Sequence, residues 1–178
     1  FVADEQTNLD NLLFNMFVAA DDKNSSKNIL VFYQGGLGLP DRDYYFKTDP
    51  ATLAIVKAYT TYMEKLFTLT GDDSATAAKN AAIVYAVEKQ MAGSHKTNVE
   101  LRDPEGNYNK VAVADLDKKM PAFGWGTLLN NVSVKTDSVN VSQPAYYAKL
   151  TDLLKSVPID TWKIYLRFHL LSDAANVL

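Results

Sequence analysis

The chain has 178 residues, 47% of them hydrophobic and 22% charged, which suits a globular domain with a substantial core and excludes a disordered polymer. Its net charge is −3, and its lysines and arginines form no cluster, so a nucleic-acid partner is not expected. With no cysteine, it can hold neither a disulfide nor a thiolate metal site.

The first pattern is Asn8–Met16, where apolar residues recur at helical spacing behind a Thr or Asn cap, so a short helix is expected. Met16 to Ala20 is apolar and suits a strand. The polar run Asp21 to Asn28 reads as a solvated turn, because its acidic spacing does not match a calcium loop. Ile29–Tyr33 is rich in β-branched and aromatic residues. Two short strands around a polar turn predict a β-hairpin.

Next comes Tyr33–Tyr45, with three glycines, one proline, three charged residues and three tyrosines in thirteen positions. Glycine permits positive φ and close backbone approach, and Pro40 fixes its own φ while pushing Leu39 toward extended geometry. The stretch predicts a fixed corner, with Arg42 between Asp41 and Asp43 as a structural ion-pair hub.

Asp49-Pro50 opens a long helix with Leu53, Val56, Tyr59, Met63, Leu66 and Phe67 on one face and Gly71 at its end. Asp73 or Ser74 starts a second helix. It runs through Ala77, Ala78, Ala81, Ala82, Tyr85 and Met91 to about Gly93, with Glu88 as a structural salt-bridge or capping residue. Ser94 to Asn107 is polar and irregular. Ala112–Lys119 reads as a short helix stopped by Pro121, and Phe123-Gly124-Trp125 leads into another through Leu128 and Leu129. Val132–Val141 alternates and is extended. Pro144 starts a helix that Pro158 breaks, and Asp160 caps a last one carrying Trp162, Tyr165, Leu166, His169, Leu170, Ala174 and Leu178. The sum is a mainly α-helical single domain over 1–178, with five or six helices and one small hairpin.

Catalytic patterns do not emerge. The chain has two histidines, His95 and His169, and no His-Glu-x-x-His, so a catalytic zinc site is not expected. His169 lies on an apolar helical face and reads as a satisfied core or interface residue; His95, in a polar loop, reads as solvated. No Ser nucleophile elbow or phosphate loop is present, and Asp72-Asp73 and Asp115/Asp117 read as caps and solvated faces. Asn-x-Ser matches at Asn24, Asn131 and Asn140 occur at chance frequency. The chain begins at Phe1 and stops at Leu178 inside an apolar pattern, so a longer precursor with targeting signals is expected. In isolation, the face with Trp162, Leu166 and Leu170 should expose apolar surface or self-associate.

The run Gly36-Leu37-Gly38-Leu39-Pro40-Asp41-Arg42-Asp43-Tyr44-Tyr45 before a proline-started helix resembles a segment of the neprilysin and endothelin-converting-enzyme family of zinc metallopeptidases. Asp21–Ser25, Arg102–Pro104, Tyr108–Lys110, Trp125 and Gln143–Tyr147 match in order. The resemblance extends from about Phe17 to the end and implies the upstream, largely helical part of such an enzyme. That part faces the catalytic domain across an enclosed cavity and limits which peptides enter. The resemblance also implies that zinc and its ligands belong to the full-length enzyme, and that the partners are the catalytic domain of the same polypeptide and peptide substrates. It implies an extracytoplasmic location and carries over no catalytic or metal residue. Gly36, Leu37, Leu39, Pro40, Arg42, Asp43, Tyr44 and Tyr45 carry over only as a structural hallmark. The competing reading is a free-standing helical interaction module without enzymatic activity.

Overall fold

The computed structural model describes residues 12–121 and 123–175. Among them the chain is mainly α-helical, with six α-helices and one four-stranded sheet. It divides into two compact units, one made of Phe1–Gly36 and Ser94–Ser156, the other of Leu37–Gly93 and Val157–Leu178.

The first unit is built on the sheet. Strands β1 (Phe14–Asp21) and β2 (Asn24–Gln34) form the expected antiparallel hairpin, with Phe14 opposite Gln34 and Ala20 opposite Asn28. Two further strands extend it: β3 (Lys110–Ala112) and β4 (Ser138–Val141), in the order β1-β2-β4-β3. β4 runs parallel to β2 and antiparallel to β3. The run Leu30–Phe32 is therefore flanked on both edges and buried, as its unbroken apolar sequence requires. Of the stretch expected to be extended, Val132–Val141, only Ser138–Val141 is strand.

Helices α3 (Leu116–Lys119), α4 (Trp125–Asn131) and α5 (Pro144–Ser156) complete this unit, and a 3-10 turn at Val113–Asp115 leads into α3. Phe14, Phe32, Phe123, Trp125 and Tyr147 form an aromatic core with ring centroids 4.8 to 6.4 Å apart. The Trp125 indole donates to Met120 O at 2.7 Å, so its one polar atom is satisfied. This core corrects the first expected helix. Residues 8–11 lie outside the described residues, but Leu12 and Leu13 form a bend and Phe14–Met16 belong to β1. Pairing with Gln34 and the ring contacts of Phe14 outweigh a periodicity that only a few residues carried.

The second unit contains α1 (Pro50–Leu69), α2 (Ser74–Ala92), α6 (Ile159–Ala175) and a 3-10 turn at Arg42–Tyr45. Two of the predicted caps are in place, while Asp160, expected to cap the last helix, lies within the first turn of α6 and pairs with Lys163. Asp49 accepts from the Thr52 amide at 3.0 Å, and Asp73 accepts from the Ala75 and Thr76 amides at 2.9 Å. Gly71, at φ 104, turns the chain after α1. Met63 and Phe67 face inward from α1, but Leu53, expected on that face, is 50% exposed. On α2 the buried face is Ala77, Asn80, Ala81, Val84, Val87, Glu88 and Met91, and Ala78 and Ala82 point outward. On α6 the expected exposed face is corrected. Trp162 is buried with Tyr165 and Phe168, because spacing of three, not four, tracks the inner stripe here. Leu166 is half-buried, and Leu170 remains exposed.

Candidate functional site

A buried polar network in the second unit lies under the Leu37–Tyr45 turn. Leu39, Tyr45 and Ala92 are buried together there, with Leu37, Tyr44, Val56, Tyr59 and Tyr85 packed against them. Tyr45 and Tyr85 stack with centroids 5.4 Å apart. The turn is closed locally by Asp41, which accepts from the Asp43 amide at 2.8 Å and caps the 3-10 segment. At Gly38 a Cβ would overlap the Tyr59 hydroxyl, so only glycine fits.

At its centre is Glu88, fully buried on α2. Its carboxylate accepts from the Gly38 amide (3.2 Å), the Tyr45 hydroxyl (2.9 Å) and the Tyr59 hydroxyl (2.8 and 3.0 Å). Tyr45 also accepts from the Leu39 amide at 3.2 Å. Burial, and then the charge of Glu88, push both phenols far above their usual range, so they stay neutral donors. His169 Nε2 on α6 stands 3.0 Å from Glu88 Oε1 without hydrogen-bond geometry. Glu88 is thus the structural polar residue the sequence suggested, with donors from three segments rather than one cap.

Among the described residues Arg42 forms no ion pair, so the expected hub is not seen there. Its guanidinium lies over the Phe46 ring at 5.5 Å, and Asp43 instead pairs with Lys47 at 3.1 Å, one helical turn on. A small pocket of about 280 Å³ opens beside the turn, lined by Asp41, Asp43, Tyr44, Lys47 and Thr52. Its two carboxylates are already engaged, one as a cap and one in the Lys47 pair.

The first unit has its own anchors. Asp21, expected in a solvated turn, is 2% exposed and accepts from Tyr108 (2.7 Å), Lys110 (2.8 Å) and the Lys23 amide (3.0 Å). The Lys110 ammonium, then the Tyr108 hydroxyl and the Lys23 amide, hold its carboxyl down at about 2. His95 is buried, not solvated. Nε2 lies 3.0 Å from Gly35 O and the ring meets Tyr146 edge-on at 4.6 Å. The carbonyl of Gly35 gives the imidazole a partner inside, which a polar loop sequence did not reveal.

Among the described residues no three His, Asp, Glu or Cys side chains are grouped to hold a metal ion. His95 and His169 belong to different units, and each is engaged by its own neighbours. Asp72, read as a cap, instead pairs with Arg167 at 2.9 Å and accepts from Asn80 at 2.8 Å. Among the described residues no helix is long and apolar enough to cross a membrane. Tyr59 was the functional partner that pattern reading missed. It stands 29 residues from Glu88, and no local motif links them.

Residues 2–178 match the family model described as Peptidase family M13, in its N-terminal region. The chain belongs to peptidase family M13. Human endothelin-converting enzyme-like 1 is 30% identical over 82% of this chain and 19% of its own length. Endothelin-converting enzyme 1 of Cavia porcellus is 36% identical over 74% of this chain and 17% of its own. The solved Mycobacterium tuberculosis zinc metalloprotease Zmp1, in complex with an inhibitor, superposes with a TM-score of 0.87 at 28% identity, over 95% of this chain and 26% of that one. PepO from Lactobacillus rhamnosis HN001, at 18% identity and a TM-score of 0.73, shares the fold. The chain thus spans about a fifth of the M13 curated relatives and about a quarter of the M13 structures it matches.

Proposed function

We propose that residues 1–178 act as one structural portion of an M13 peptidase: the non-catalytic helical part that encloses the active-site cavity and restricts substrate size. The reading rests on one observation. A match running along nearly the whole chain covers only 26% of the zinc metalloprotease it superposes on. The use of polar groups agrees with it, since Glu88, Asp21, His95 and Asp43 are all engaged in holding the fold. In this reading the zinc and the chemistry lie in the catalytic domain of the same polypeptide, whose peptide substrates pass this portion on entry. The parent works outside the cytoplasm. Gly36, Leu37, Leu39, Pro40, Arg42, Asp43, Tyr44 and Tyr45 shape the portion without touching reacting atoms.

Two measurements test this. The purified 178-residue chain, given zinc and quenched fluorescent peptides, should show no cleavage that a chelator abolishes. Turnover that copurifies with the chain and disappears with chelator overturns the reading. In a protein joining this portion to the remaining domain, a short peptide should be cut far faster than the same peptide displayed on a folded carrier. Equal rates would remove the size-restriction part.

A further inference from the structure

On the reading that residues 1–178 are one portion of a longer M13 peptidase, we propose that Arg42, Phe46 and Lys89 form a docking seat for an aspartate or glutamate side chain. That acid comes from the part of the same polypeptide outside residues 1–178.

Two arginines lie in the second unit, and one shows what the other lacks. Arg167 on α6 lies over the Phe67 ring at 5.2 Å. Its fork also reaches both Asp72 oxygens, at 2.9 and 3.1 Å, and the Thr70 hydroxyl at 2.8 Å. A ring beneath and a carboxylate at the edge satisfy the guanidinium. Arg42 has the same kind of ring contact, with Phe46 at 5.5 Å, but among the described residues no carboxylate pairs with it. Its Nε is buried without a hydrogen-bond partner there. A buried donor left so bears its full desolvation cost, and an acceptor removes it.

The acids beside Arg42 in the sequence are committed elsewhere. Asp41 accepts from the Asp43 amide at 2.8 Å, and Asp43 pairs with Lys47 at 3.1 Å. A second cation stands at the same ring. The Lys89 ammonium, from α2, lies 5.6 Å from the Phe46 centroid, and among the described residues it too has no ion pair. Phe46 is 45% exposed, so the ring is open to a partner. Two cations at one half-exposed ring make a positive spot on a chain whose net charge is −3. That sign selects an anion, and the planar guanidinium fork fits the two oxygens of a carboxylate. The chain covers 26% of the zinc metalloprotease it superposes on, so in this reading most of the polypeptide lies outside it and can supply the acid.

Zero-length carbodiimide coupling of the full-length polypeptide tests the seat, because it joins ammonium and carboxylate groups already in contact. Peptide mapping should find Lys89 joined to one aspartate or glutamate outside residues 1–178. The exposed Lys163–Asp160 pair, 2.9 Å apart, is the internal control for the reagent. In Arg42→Gln the Lys89 product should fall severalfold. In Arg42→Lys, which keeps the charge, the amine at position 42 should capture the same acid. With the control pair coupled, absence of a Lys89 product overturns the proposal. So does a product confined to residues 1–178, a product joining two copies, or a yield unchanged in Arg42→Gln. The folded-carrier assay on the same preparation separates the two readings. Retained size discrimination without the Lys89 product removes the seat alone, whereas lost discrimination with the product present removes the cavity role alone.

Discussion

Asp21 and Glu88 are both buried acids that tie distant segments together, yet they do so by opposite means. Asp21 has a permanent cation at 2.8 Å, and Lys110 is itself half exposed. Glu88 has neutral phenols and a backbone amide as its hydrogen-bond donors. The first arrangement compensates the charge once and for all. The second disperses it over hydrogen bonds, each of which also fixes a piece of chain. A carboxylate held by a lysine anchors two strands, whereas a carboxylate held by tyrosines and glycine dictates the path of a turn.

Removing each anchor should separate the two designs. Glu88→Ala leaves two buried hydroxyls and one amide without an acceptor, and urea unfolding should show a loss of roughly 3–5 kcal/mol. A loss below about 1 kcal/mol would mean that water replaces the carboxylate freely. Phe32→Ala, in the aromatic core that has no charges to lose, should cost about 3–4 kcal/mol and sets the scale. Gly38→Ala should cost about 1–3 kcal/mol through the clash with the Tyr59 hydroxyl. Combined with Tyr59→Phe, which deletes that hydroxyl, the cost should be less than the sum of the two, as a double-mutant cycle would report.

Asp21 predicts a pH effect of known sign. Its carboxyl is held below the ordinary carboxylate value, so the stability it contributes is complete above about pH 5. That stability is lost as the solution is acidified through 3.8 to about 2. Melting temperatures from pH 5 to pH 2 should fall less steeply in Asp21→Asn than in wild type; parallel curves would show that Lys110 and Tyr108 do not favour the ionised form. The smallest effect should come from Lys163→Ala, whose pair with Asp160 is exposed on both sides; about 0.5 kcal/mol or less is expected from the same melts.

Local chemistry made much of the fold legible. Asp49-Pro50, Asp73, Pro144 and Pro158 mark helix boundaries that their own backbone preferences enforce, and the structure places helices there. Where a segment's fate depends on distant partners, sequence reading failed. Phe14–Met16 is helical in pattern but strand in fact, because Gln34 and the rings of Phe32 and Tyr147 claim it. His95 is buried by Gly35 and Tyr146, which lie 60 and 51 positions away along the chain. Arg42 was read from its neighbours Asp41 and Asp43, but a ring four positions later holds it. The turn itself was recognisable as a fixed corner, while its anchor was not, since Glu88 is 43 residues from Tyr45.

One tryptophan lies in each unit: Trp125 inside the aromatic core of the first, Trp162 against Tyr165 in the second. The molecule therefore carries two built-in optical reporters at separate addresses. Replacing either by phenylalanine leaves a single emitter, and the two single-emitter proteins would reveal whether denaturant dismantles both halves at one concentration or in succession.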